Sequence, residues 1–142
     1  MSHTNPSNEQ LTALLTNANT IAIVGASSNP EKAPYGIMQK LQSAGYKVIP
    51  VNPRETEVLG EKAYPSLKDI PAQVDIVDVF RRAEDTPPIA DEAVAIGAKA
   101  FWLQSGISSE EAAARASKGG LTVVMDACIG ATHSMLRIPK KG

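Results

Sequence analysis

Five short apolar runs, separated by stretches with helical spacing, constrain the possible folds of this chain more than any other feature. They are TIAIV (Thr20 to Val24), KVIPV (Lys47 to Val51), VDIVDVF (Val74 to Phe80), AFWL (Ala100 to Leu103) and LTVVM (Leu121 to Met125). Near-continuous apolar runs of this length read as strands buried on both faces. Ser7 and Gln10 form a capping-box pattern that opens a helix through about Ala18, with Leu11, Leu14 and Leu15 on one face. A second helix runs from Tyr35 to Ala44, turns Ile37, Met38 and Leu41 inward, and stops at Gly45. After a loop from Asn52 to Ala63 comes a helical turn near Ser66 to Ile70. A third helix starts at Thr86-Pro87-Pro88 and ends near Gly97. A fourth spans Ser109 to Ser117, with Glu110 and Glu111 in its first turn and Gly119-Gly120 as its stop. Strands alternating with helices call for a parallel sheet joined by right-handed crossovers. The expected fold is therefore α/β, a doubly wound five-stranded sheet of order 3-2-1-4-5 with helices on both faces.

Length sets the scale of that fold. With 142 residues, 43% of them hydrophobic, the chain is expected to form a single domain over 1–142. Residues 1–18 would then be an N-terminal helix and 127–142 a C-terminal tail. That length is too short for a dinucleotide domain plus a substrate domain. Fourteen basic residues against fifteen acidic ones give a net charge of −1 without a basic block, so neither nucleic acid nor a membrane surface is an expected partner. The start, MSHTNPSNEQ, shows no charged segment leading into an apolar one, and no stretch reaches the roughly 18 apolar residues of a membrane helix. Cys128 is the single cysteine, so no internal disulfide can form, and a reducing cytoplasm is the expected compartment.

The stretch from Thr20 to Pro34, TIAIVGASSNPEKAP, is where the fold turns into chemistry. Its apolar run stops at Gly25 and opens into small polar residues ahead of a helix, as in the phosphate cradle of a Rossmann-like βαβ unit. Gly25, Ala26, Ser27 and Ser28 can turn backbone N–H groups toward an anion near a helix N-terminus, where the helix dipole also favours negative charge. The three-glycine dinucleotide fingerprint is absent, since the next glycine after Gly25 is Gly36. The longer loop leaves room for Lys32 to reach toward phosphates. A plain strand-to-helix connection would look similar.

Discrimination comes from the second strand. NAD-binding units carry an acidic residue about twenty positions beyond the glycine loop, where it holds the ribose hydroxyls. Here the strand ends in Val51, Asn52, Pro53 and Arg54, with no carboxylate. Asn52 can contact a ribose or phosphate, and Arg54 suits a phosphate on that ribose, because a guanidinium matches phosphate oxygens bidentately. The pattern points to NADP or to the 3′-phospho-ADP half of coenzyme A; a simple turn with a solvated arginine is the plainer reading. In such sheets ligands lie beyond the carboxyl ends of the strands where strand order reverses, which for order 3-2-1-4-5 falls between strands one and four. Phe80 with Arg81 or Arg82 after strand three, and Gln104 to Gly106 after strand four, complete the set of strand ends. Taken singly, Phe80 could be core and the arginines solvated.

The segments IAIVGAS (Ile21 to Ser27), GYKVIPVNP (Gly45 to Pro53), VDIVDVFRR (Val74 to Arg82), IGAKAFWLQSGI (Ile96 to Ile107) and GLTVVMDAC (Gly120 to Cys128) resemble, in order and over nearly the whole chain, the small single-domain CoA-binding proteins of bacteria and archaea. That family is similar to the CoA-binding N-terminal domain of the succinyl-CoA synthetase α subunit. The resemblance implies that Gly25, Ala26, Ser27 and Ser28 hold the pyrophosphate, that Val51, Asn52, Pro53 and Arg54 face the adenosine 3′-phosphate, and that Phe80 and Arg81 form a third wall. The residues alone leave CoA and NADP both open. The family commonly has an arginine between the aspartate and the cysteine after strand five, then a glutamate before a His-Arg-like pair. This chain has Asp126-Ala127-Cys128 followed by IGATHSMLRI.

Other chemistry finds little support. Cys128 and His133 are a nucleophile and base by type, yet no third residue orients them, and a cysteine just past a buried strand is usually inert. His3 falls in a stretch expected to fray. Asp75/Asp78 and Glu110/Glu111 read as structural, with Asp78, on Phe80's side of its strand, suited to orienting a ligand loop. Trp102 reads as core or rim. One cysteine and two scattered histidines are too few for an N/S metal site. The expectation is a protein that binds coenzyme A or an acyl-CoA and performs no catalysis of its own. The alternatives are an NADP-linked reductase and a CoA-sensing regulatory subunit, and a protein partner or a second copy of the chain is left open.

Overall fold

A computed structural model describes residues 3–141. It contains α1 (Asn8–Asn17), β1 (Thr20–Val24), α2 (Ala33–Ser43) and β2 (Lys47–Val51), then a hairpin of β3 (Glu57–Val58) and β4 (Glu61–Lys62). A 3-10 turn at Leu67–Asp69 precedes β5 (Ile76–Val79), and a second at Ala83–Asp85 leads into α3 (Thr86–Ala95). The chain continues through β6 (Ala100–Leu103), α4 (Glu110–Lys118), β7 (Thr122–Val124) and α5 (Ile129–Met135). Local chemistry accounts for the helix ends: Ser7 and Gln10 make the reciprocal capping box, and Ser109 accepts from the Ala112 N–H at the start of α4.

The main sheet is parallel throughout, with order β2-β1-β5-β6-β7. Strand faces divide the core in two. Ile21, Ile23, Ile76 and Trp102 pack with α1, α2 and α5 on one side. Ala22, Val24, Val77, Val79 and Phe101 pack with α3, α4 and the Leu67 turn on the other. The doubly wound class is as expected, and the order corresponds to the expected 3-2-1-4-5 type, with Tyr64 bridging in parallel to Val51 on the outer side of β2. β5 lies between β1 and β6.

Two physical reasons account for that order. Right-handed crossovers that leave on opposite faces must run in opposite directions, and α2 covers one face while the Leu67 turn between β2 and β5 covers the other. In addition, Pro50 has no N–H to give a ladder, which suits β2 to an edge. There, the Pro50 carbonyl accepts from the Tyr64 N–H, and the Asn52 N–H donates to the Tyr64 carbonyl.

The stretch expected to be a tail also folds. Within 127–142, α5 buries Ile129 completely, and the Lys141 N–H donates to the Ala44 carbonyl at the end of α2. At the other end, the Asn5 amide accepts from the Met125 N–H and donates to the Met125 carbonyl, so His3 is held beside an ordered segment and is not frayed. The hairpin, with Leu59 at φ 48 and Gly60 at φ 81 in its turn, replaces part of the expected loop.

Candidate functional site

Because β5 sits beside β1, the reversal of strand order falls between those two strands. Register places the strand ends level: Val24 pairs with Val51 on one side and with Val79 on the other, and Val79 pairs with Leu103. The loops after β1, β2 and β5 therefore open side by side. Gly25 is their meeting point. Its N–H donates to the Val51 carbonyl (2.9 Å), its φ is +91°, and a Cβ there would overlap the Phe80 carbonyl oxygen.

Beyond Gly25 the loop is held by its own side chains. The Ser27 hydroxyl accepts from the Asn29 N–H (3.0 Å), and Asn29 Oδ1 accepts from the Glu31 N–H (2.9 Å). The Asn29 carbonyl accepts from the Lys32 N–H at 3.0 Å. Asn52 joins this loop to the next: its Nδ2 donates to the Ala26 carbonyl (2.8 Å), while its Oδ1 accepts from the Arg54 N–H (2.9 Å). Among the described residues, the N–H groups of Ala26 and Ser27 donate to no protein acceptor. The next donors along the loop, the Ser28 N–H and hydroxyl, both bond Glu55 Oε2, at 2.9 and 3.1 Å. Three consecutive backbone donors thus lie at the β1 exit, and the one that is engaged holds a carboxylate oxygen.

Basic and apolar walls flank this cradle. Lys32 and Arg54 are exposed, and neither they nor Arg81 has a carboxylate ion-pair partner among the described residues. Pro53 is exposed, and Val51 is buried, so Val51 contributes its carbonyl and not its side chain. Phe80 and Arg81 line a cleft of about 480 Å³ with Arg82, Asp85 and Ile107. Arg82, in contrast to Arg81, is paired with Asp85 at 3.0 Å. On the α3 side, Arg81 also borders a smaller cavity of about 160 Å³ with Val24, Val51, Leu67 and Ile89.

Gln104 and Gly106 are turned to internal work. Gln104 is buried and its Oε1 accepts from the Ile129 N–H (3.1 Å), while the Gly106 N–H donates to Asp126 Oδ1 (2.7 Å). Together they tie the β6 exit to the start of α5.

The titratable groups outside the cradle divide clearly. Asp78 is fully buried, and both carboxylate oxygens lack a hydrogen-bond partner, so it orients no loop. Burial, reinforced by the nearby Cys128 thiol, pushes its pKa well above the ordinary carboxylate value and favours the neutral acid. Asp75 is structural. Burial opposes its charge, but N–H bonds from Asn19 (2.8 Å) and Thr20 (3.0 Å), with Lys99 at 3.6 Å, outweigh that and hold its pKa low. A concavity of about 320 Å³ beside Asp75 and Lys99 lies at the amino end of the sheet, away from the cradle.

Cys128 is half-buried and accepts weakly from the Ala131 N–H (3.5 Å). His133 stands edge-on to Tyr46 with ring centroids 5.8 Å apart, and burial together with Lys40 and Lys141 lowers its pKa. His3 bonds Asn5 and Glu110, outside the cradle. Trp102 is core, its Nε1 donating to the Ala127 carbonyl (2.7 Å). Among the described residues, no group of three or more His, Cys, Asp or Glu could hold a metal ion. No described helix is long and apolar enough to cross a membrane.

Glu55 and Asp126 went unnoticed in the sequence. Glu55 lies 27 positions from the Ser28 it contacts, and nothing local marks it apart from any surface glutamate. Asp126 carries a signal only in three dimensions, as a non-glycine residue at φ 55 beside Gly106.

Comparison with known proteins points to one family. The chain is 41% identical over 133 residues to the uncharacterized protein YneT of Bacillus subtilis, covering 94% of this chain and 98% of that one. Its fold superposes with a TM-score of 0.90 on a hypothetical protein from Pyrococcus horikoshii, at 38% identity, covering 96% of this chain and 99% of the other. It is also 49% identical over 61 residues to the α subunit of the ADP-forming acetate–CoA ligase II of Pyrococcus furiosus, a match that takes in 42% of this chain and only 13% of the subunit. Residues 19–134 match the family described as the CoA binding domain, a span that runs from the start of β1 to α5. The chain belongs to that family and is homologous to part of the ligase α subunit.

Proposed function

We propose that this protein binds coenzyme A or an acyl-CoA across the exits of β1, β2 and β5 and holds it without carrying out a reaction itself. The observation that carries the reading is the row of donors at the β1 exit: Ala26 and Ser27 have unengaged N–H groups, and the Ser28 N–H already holds an anionic oxygen. A pyrophosphate placed there accepts from backbone, with Lys32 within the same loop to balance its charge. The 3′-phosphate lies toward Asn52, Pro53 and Arg54, where the guanidinium has no competing ion-pair partner among the described residues. Phe80 and Arg81 border the cleft that receives the rest of the ligand. The matched part of the ligase subunit is a small fraction of its length, which supports a module that holds the ligand while any chemistry resides in a partner.

Isothermal titration with CoA, acetyl-CoA, 3′-dephospho-CoA, NADP and NAD tests this, with Arg54→Ala in parallel. The expected result is CoA binding that weakens about 5- to 20-fold on loss of either the 3′-phosphate or Arg54, the scale of one charge-assisted contact. The two losses should not add. Binding of NADP in place of CoA replaces this reading with the reductase one.

A further inference from the structure

Glu55 is the acidic side chain inside the cradle, and it sits where the ligand's phosphate would go. Its Oε2 accepts from both the N–H and the hydroxyl of Ser28, at 2.9 and 3.1 Å, beside the two unengaged donors of Ala26 and Ser27. The loop does not depend on this contact for its shape. Ser27, Asn29 and Asn52 already hold it through bonds to Asn29, Glu31 and Ala26. Nor does Glu55 have a basic partner to neutralise it among the described residues. It is half-exposed and belongs to the same short segment as Arg54, its N–H donating to the Asn52 carbonyl at 3.2 Å.

Two anionic oxygens compete for one N–H at hydrogen-bond distance, because their like charges repel. We infer that Glu55 is a competitor built into the site: an internal carboxylate that stands in for phosphate at Ser28 and that an anionic ligand must displace. The inference rests on the CoA reading above for the identity of the natural ligand, though not for the competition itself. Its consequence falls on anions. A phosphate or pyrophosphate bound at Ser28 must displace Glu55, whereas a ligand without an anionic group need not. The apparent dissociation constant of every anion is the intrinsic one divided by the fraction of time Ser28 is free of the carboxylate.

Calorimetric titration of wild type, Glu55→Gln and Glu55→Ala with CoA, inorganic pyrophosphate and pantetheine tests it. Both variants are expected to bind CoA and pyrophosphate about 3- to 10-fold more tightly than wild type, with pantetheine, which has no phosphate, unchanged. If wild type binds CoA and the variants bind it equally or more weakly, Glu55 is a loop support and the inference fails while the CoA reading stands. If CoA binds none of them but pyrophosphate binds the variants more tightly, the competition stands and the CoA reading fails. Failure of every anion to bind any of the three overturns both.

Discussion

At Gly25 the backbone is at φ +91°, the N–H is committed to Val51, and the space a Cβ would fill belongs to the Phe80 carbonyl. Two loops touch through the absence of a side chain. Gly25→Ala therefore combines left-handed strain with a backbone clash, and neither can relax without moving β1 away from the β5 exit. We expect a loss of about 2–4 kcal/mol in denaturant unfolding, with CoA binding reduced beyond what the stability loss explains. The cradle position was legible in the sequence because a glycine ending an apolar run is a local signal. The partner in the clash was not, since Phe80 lies 55 positions away and reaches Gly25 only through strand pairing.

Elements show the same division. Each strand of the main sheet was visible as an apolar run, and each of the first four helices by its cap and spacing, whereas the short β3-β4 hairpin falls in the expected loop. The fifth was missed: α5 is only seven residues long, and it is held by outside partners. One of these is Gln104, whose Oε1 accepts from the Ile129 N–H in a buried setting. Read from sequence, Gln104 faced the ligand; in the fold it secures α5 from beneath. Gln104→Ala would leave that buried N–H without an acceptor and open a small void. The expected cost is about 1–3 kcal/mol, together with faster amide exchange in 129–135 than in α3 or α4, as hydrogen exchange would register. Pro50 is the element-scale clue that was in the sequence but went unused. A proline inside a strand argues against a central place in a long ladder, and outside β2 only a short parallel bridge to Tyr64 forms.

For the molecule as a whole, the fully buried Asp78 makes stability depend on pH in an unusual direction. Its pKa is raised in the fold, so the folded chain keeps the proton that the unfolded chain releases from about pH 4 upward. Stability from this group is complete below the unfolded pKa and is lost as pH rises toward the folded one. Asp75 acts with the opposite sign, since its lowered pKa contributes stability that is lost as pH falls. Comparing Asp78→Asn with wild type removes the Asp75 contribution from the difference. The variant should gain little at pH 4 and progressively more toward pH 8, read from urea midpoints across that range. A constant difference would mean that Asp78 titrates alike in the folded and unfolded chains, so that burial does not raise its pKa.

What the sequence determined by itself was the alternation of strands and helices, the parallel doubly wound class, and the likeness to CoA-binding proteins. These follow from short-range patterns: apolar runs, capping residues, a glycine at a strand exit, a missing acidic residue after the second strand. Tertiary structure alone decided which strand ends are neighbours, that Gln104 and Gly106 bond inward, that 127–142 docks as α5, and that Glu55 reaches Ser28. Each of those depends on which strands pair and in what register. That choice is made by burying both faces of β5 and leaving Pro50 at an edge, a balance summed over residues far apart in the chain.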